Sequence, residues 1–183
     1  MSANLEAVIC GSTITVDDAP KTPGKSGWSY INIKPSVREN IECVLVFDPC
    51  YQGGEFMSAS FAVDDAALAG RITRLGARIS FDTRFKELTV PVKENRVWLR
   101  LASKASSITS TCVGHEKLTL STINDIAPRG STVRAVVKID TIMVSDKGAA
   151  SLRVEVVAFS VIRKGEIAPR VDASEMSFLS APQ

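Results

Sequence analysis

The stretch GSTVRAVVKIDTIMVSDKGAASLRVEVVAFSVIRKG, running from Gly130 to Gly165, constrains the fold more than any other part of the chain. Two β-branched runs flank SDKGAA, whose Asp146, Lys147 and Gly148 are turn residues, and that pattern is the signature of an antiparallel hairpin. Successive side chains of a strand point to opposite faces. In the first arm Val133, Ala135, Val137 and Ile139 alternate with Arg134, Val136, Lys138 and Asp140; in the second, Leu152, Val154 and Val156 alternate with Arg153, Glu155 and Val157. Each arm therefore offers one apolar face to a core and carries charge on the other. The phase slips at Asp140-Thr141, beyond which Ile142 and Val144 take the apolar side, so a β-bulge and a curved strand are predicted there.

Other segments extend the β pattern. Trp28 to Pro35 places Ile31 and Ile33 on one face with Trp28, Tyr30, Asn32 and Lys34 opposite; Ile41 to Pro49 is apolar on both faces; Glu94 to Ser103 buries Val97, Leu99 and Leu101 and turns Arg96, Trp98 and Arg100 the other way. LEAVICGSTITV, near the N-terminus, has weaker strand character. Asp17 to Gly27 is a polar Pro/Gly loop, and CYQGGEF a flexible turn. One segment departs from the β pattern. DDAALAGRITRLGAR has Asp64 or Asp65 as N-cap, Leu68, Ile72 and Leu75 at helical spacing, and Gly76 as a stop, which predicts a short amphipathic helix with Arg71 and Arg74 on a solvated face. ISFDTRFKELTVPV then returns to strand. The expectation is a mostly β chain of six to eight strands and one helix, with a single domain over residues 1–165 and a flexible tail over 166–183. At 183 residues one core suffices without metal or disulfide staples.

Signs of catalysis are thin. The single histidine, His115, sits in TCVGHEKL, read as a loop, and there is no nucleophile elbow, P-loop or dinucleotide fingerprint. Asp17-Asp18 and Asp64-Asp65 are adjacent pairs, which in a strand point apart and before a helix serve as caps. A non-enzymatic protein without cofactor or metal is expected. Cys10, Cys43, Cys50 and Cys112 form no CxxC pair and read as free buried thiols, although Cys43 and Cys50 could meet across a loop. With no leader pattern and no apolar run near the ~20 residues of a membrane span, the expected compartment is the cytosol, or the host nucleus or cytoplasm for a viral protein. A net charge of +2 means that any anion binding must come from local clusters.

Such clusters exist in the strand faces left outside the core. Arg96, Trp98 and Arg100 form one set, Trp28, Tyr30 and Lys34 a second, and Arg134, Lys138 and Arg153 add cations from the last hairpin. Cations neutralise phosphates and flat rings stack on bases of any identity, so this combination suits a single-stranded nucleic acid. The same rings would serve equally to pack beneath a helix or loop, and alternating charge is normal on a half-exposed sheet.

VPVKENRVWLRL, followed after a spacer by Leu120 to Ile162, resembles the C-terminal half of the OB-fold single-stranded-DNA-binding proteins of bacteriophages and large DNA viruses. The resemblance covers about residues 88–163 and rests on the Asn95-Arg96 step, the Arg129-Gly130-Ser131 turn before a long strand, and Gly148 near the last turn. Chain and family differ at Met143, where such proteins often carry an aromatic, and in a tail nearly uncharged on balance where many carry an acidic one. The resemblance implies an OB-like Greek-key barrel enlarged by extra N-terminal strands. It also implies binding of single-stranded DNA, with RNA as the other candidate, in replication, recombination or repair alongside replication proteins, and leaves homo-oligomers open. A jelly-roll sandwich serving as a viral scaffold subunit is the alternative reading.

Overall fold

The computed structural model describes residues 2–11, 13–18, 29–47, 49–53, 56–101, 109–111, 114–115 and 123–166. The chain opens with β1 (Ser2–Ala3), α1 (Leu5–Gly11) and β2 (Thr15–Val16), then enters the long strand β3 (Ser29–Val44). A hairpin of β4 (Cys50–Gly53) and β5 (Phe56–Asp64) leads into α2 (Ala66–Asp82). The short strands β6 (Leu88–Thr89) and β7 (Val92–Lys93) precede β8 (Arg96–Leu101), and β9 (Thr109–Thr111), β10 (Gly114–His115) and α3 (Ile123–Ile126) precede the terminal hairpin of β11 (Thr132–Val144) and β12 (Ala150–Arg163).

Five of these strands make a ring. β3 pairs antiparallel with β11, β11 with β12, β12 runs parallel to β8, and β8 pairs antiparallel with β5. The ring closes thinly at Leu45, which bridges Val63 while Val46 N–H donates to Ala62 O at 2.7 Å. Numbered along the chain, the ring runs first, second, third, fifth, fourth and back to first. This is a partly open five-stranded Greek-key barrel of the OB type.

The terminal hairpin forms as its alternation predicts. Val133, Ala135, Val137, Ile139, Leu152, Val154 and Val156 are all buried, and the register shifts between Lys138 and Thr141 mark the bulge. Gly148 supplies the left-handed turn residue, with φ 82°. β3 is longer than its sequence suggests because Pro35, which has no N–H for the ladder, does not end it. The pairing jumps from Ile139–Val37 to Thr141–Asn32, so Pro35 falls in a bulge and the strand continues.

The helices depart most from the sequence reading. LEAVICG is a helix: Asn4 Oδ1 accepts from Glu6 N–H at 2.8 Å, and Leu5 and Val8 enter the core. α2 runs past Gly76 to Asp82, because Ile79 keeps the helical phase of Leu68, Ile72 and Leu75, and all four are buried. Gly76 is there for contact rather than termination, since a Cβ would lie 2.4 Å from Val90 Cγ1. The strand predicted over residues 79–92 shrinks accordingly to β6 and β7. Arg71 and Arg74 are not free on a solvated face. Arg71 donates to Glu39 Oε1 at 2.7 Å and Arg74 to Glu6 Oε2 at 3.1 Å, and Glu39 also accepts from Leu5 N–H, tying both helices to β3. A carboxylate this deeply placed needs such partners.

Three further expectations change. CYQGGEF is largely the β4–β5 hairpin rather than a plain turn, and His115 lies in β10 rather than a loop. Cys10 is exposed, whereas Cys43 is buried, and burial pushes its thiol up to about 12. The segment 19–28 and the tail from residue 167 lie outside the described residues.

Candidate nucleic-acid interface

β8 holds the Arg-Trp-Arg row and turns it outward in the predicted phase. Val97 and Leu99 are fully buried, Arg100 is exposed, and Trp98 is 41% exposed. Along β5, Asp64 faces Arg96, Ala62 faces Trp98 and Ser60 faces Arg100. The neighbouring ring comes from the loop after β3. Once Leu45 and Val46 have hydrogen-bonded onto the barrel, Phe47 lies over Trp98 with ring centroids 5.7 Å apart and planes 8° from parallel. This is offset stacking. Phe47 is itself 44% exposed, so the pair presents ring surface to solvent instead of sealing a core.

Arg96 completes the cluster. Its guanidinium carbon stands 5.2 Å from the centre of the Phe47 ring, a cation–π distance, and its Nε donates to Asp64 Oδ1 at 3.1 Å. Lys93 faces Arg96 across the tight β7–β8 turn and is exposed. In that turn Glu94 adopts a left-handed φ of 58°, and Asn95 O accepts from Asp65 N–H at 3.0 Å, fixing the turn to the start of α2. From Arg100 a register line crosses the outer surface through Glu155 and Lys138 to Arg38. Among the described residues Lys93, Arg100 and Arg38 have no ion-pair partner.

The other described cations singled out in the sequence each have a carboxylate partner. Lys34 meets Asp17 at 2.9 Å, which holds its pKa above the ordinary value through the hydrogen bond and the carboxylate's charge. Arg134 meets Glu42 at 2.8 Å through Nε alone, as Arg96 meets Asp64, Lys138 meets Asp140 at 2.5 Å, and Arg153 pairs with Glu155. Arg153 also covers the half-buried Tyr30 ring at 5.3 Å, so that ring is already stacked from one side. Arg134 stands seven residues along β11 from Thr141, the register partner of Arg153, which at the strand rise is roughly 23 Å. Trp28 lies outside the described residues. Arg96, Trp98 and Arg100 thus share β8 with Phe47 against them, Arg153 covers Tyr30 and pairs with Glu155, the register neighbour of Arg100, and Arg134 stands far along β11 from the Tyr30–Arg153 pair.

Phe47, Lys93 and Arg38 were missed by sequence reasoning. Phe47 shares the inward phase of Cys43 and Leu45, so only the Asp48-Pro49 turn signal hinted that the strand had ended before it. Arg38 falls in the outward phase of Asn40 and Glu42, visible once β3 is read as one strand.

Among the described residues no group of His, Cys, Asp and Glu could hold a metal ion, and no helix is long and apolar enough to cross a membrane.

The solved structures to which the chain is similar include those of a phage protein. The single-stranded DNA-binding protein from bacteriophage Enc34 matches with 14% identity over 89% of this chain and 99% of its own, at a TM-score of 0.44. The same protein in complex with ssDNA matches at 12% identity over 81% and 96%, TM-score 0.44. Its C-terminal truncation matches at 11% identity over 82% and 97%, TM-score 0.43. No protein-family model and no curated protein sequence matches the chain.

Proposed function

We propose that the protein binds single-stranded nucleic acid, DNA foremost, without sequence preference, and covers it during replication, recombination or repair. The observation that carries this reading is the exposed Phe47–Trp98 stack with Arg96 beside it, on the outer face of the barrel's second and third strands. That face, together with the loop joining the first two strands, is where OB barrels take oligonucleotides. A base stacked on an aromatic platform is worth about 1–3 kcal/mol, and any base will do. Lys93, Arg96, Arg100 and Arg38 then act as phosphate contacts along and beside β8. Four such contacts give a slope of log K against log[salt] near ~−3 for a single strand.

The test is titration of the protein with oligo(dT), oligo(rU) and a duplex of equal length at several salt concentrations. Saturable binding of oligo(dT) that exceeds duplex binding, with the slope above, is expected. Equal or tighter duplex binding, or a response flat in salt, would reject the reading.

A further inference from the structure

Asp64 is an anion placed beside a proposed anion-binding cluster, and by charge alone it should oppose binding. Its geometry says otherwise. Asp64 sits directly across from Arg96 in the β5–β8 register, and its Oδ1 takes only the Nε hydrogen of that arginine, at 3.1 Å. The two terminal guanidinium nitrogens make no hydrogen bond to any described residue. Those nitrogens are the outer fork that matches two phosphate oxygens in parallel bonds. The carboxylate side is fixed as well. Asp64 ends β5 one residue before the α2 N-cap, and that cap, Asp65, binds Leu68 N–H at 2.9 Å and through its own N–H the Asn95 carbonyl at 3.0 Å. Helix start, β7–β8 turn and ion pair thus meet at one place.

We infer that Asp64 is a positioning residue for the proposed single-strand site: it holds Arg96 from the side, over Phe47, so that the guanidinium fork points at a phosphate. The inference rests on the single-strand-binding reading. An arginine free to rotate loses side-chain entropy when it binds phosphate, and one already held at Nε loses less. Asp64 is 55% exposed and makes no cap hydrogen bond itself, so its substitution leaves the fold in place.

The sign of the effect makes this testable. Oligo(dT) affinity and salt slope are measured for wild type, Asp64→Ala, Asp64→Asn, Arg96→Ala and the Asp64→Ala/Arg96→Ala double variant, with melting temperatures as a check on folding. Asp64→Ala is expected to weaken binding about threefold to tenfold and to lower the salt slope by about 0.7, the share of one phosphate. Asp64→Asn keeps an acceptor for Nε and should restore wild-type affinity or exceed it. In the Arg96→Ala background the same Asp64→Ala change should no longer weaken binding and, by removing a negative charge, should tighten it slightly. Unchanged or tighter binding by Asp64→Ala alone would overturn the inference, as would equal weakening with and without Arg96. Absence of oligo(dT) binding by the wild type would instead remove the single-strand reading itself, and is seen before any variant is compared.

Discussion

Two outer faces of the barrel look alike in sequence and differ in the structure. The β11–β12 face bears Arg134, Lys138 and Arg153, and the β8 face bears Arg96, Trp98 and Arg100. On the first, every one of those cations has a carboxylate partner, Arg134 through Nε alone and with no aromatic platform beside it, and the nearby Tyr30 ring is covered by Arg153. On the second, two aromatic rings lie stacked and half exposed, Arg100 is unpaired among the described residues, and Arg96 is held by one nitrogen with the rest of its fork open. Alternation along a strand tells which side a cation takes. Whether it is available depends on what stands across from it, and that is a matter of register.

The largest expected effect separates the two sides of β8 itself. Leu99→Ala removes a fully buried side chain and should cost about 2–5 kcal/mol of stability by leaving a cavity, read as a lowered denaturation midpoint. Trp98→Ala, one residue earlier, should lower oligo(dT) affinity by about 1–3 kcal/mol through lost stacking while the midpoint moves far less. The reverse pattern, a stable Leu99→Ala that fails to bind and a melted Trp98→Ala, would mean that β8 faces the other way. Phe47→Ala should reproduce the binding loss of Trp98→Ala at the lower end of that range, because it removes one half of the stack.

Smaller effects sharpen the contrast between the faces. Arg100→Ala should reduce the salt slope by about 0.7, the loss of one phosphate contact, and Arg134→Ala should leave slope and affinity unchanged. Equal effects from the two would erase the distinction between a cation beside the aromatic stack and one on the β11–β12 face. The smallest effect concerns thiols. At pH 8 a maleimide should label exposed Cys10 in the folded protein and spare Cys43, whose pKa near 12 leaves almost no thiolate; denaturation should open Cys43 to labelling.

Much of the barrel was legible in the sequence. The terminal hairpin, its bulge and the phase of β8 follow from period-2 alternation, because each has one face buried and one not. The rest failed where a local signal was overruled by contacts distant in sequence. Pro35 looked like a strand end until a bulge absorbed it, Gly76 looked like a helix stop until Val90 came to lie against it, and LEAVICG looked like a strand until Leu5 and Val8 found the core beside α2. The candidate site was half legible for the same reason. Trp98 and Arg96 announce themselves by phase, whereas Phe47 reaches them only because Leu45 closes the ring at Val63. The carboxylates that occupy Arg134 and Lys34 come from other strands or loops, at separations no periodicity encodes.

The central claim, that the Phe47–Trp98 stack is the surface on which single strands lie, can be read from the indole directly. Trp28 and Trp98 are the chain's two tryptophans, so a Trp28→Phe variant leaves Trp98 as the sole reporter. Titrating that variant with oligo(dT) should quench its fluorescence saturably, with a midpoint that moves to higher oligonucleotide concentration as salt rises and with no comparable change on adding duplex. Saturable binding by an independent measure with the Trp98 emission unaltered would contradict the claim and place the strand elsewhere on the barrel.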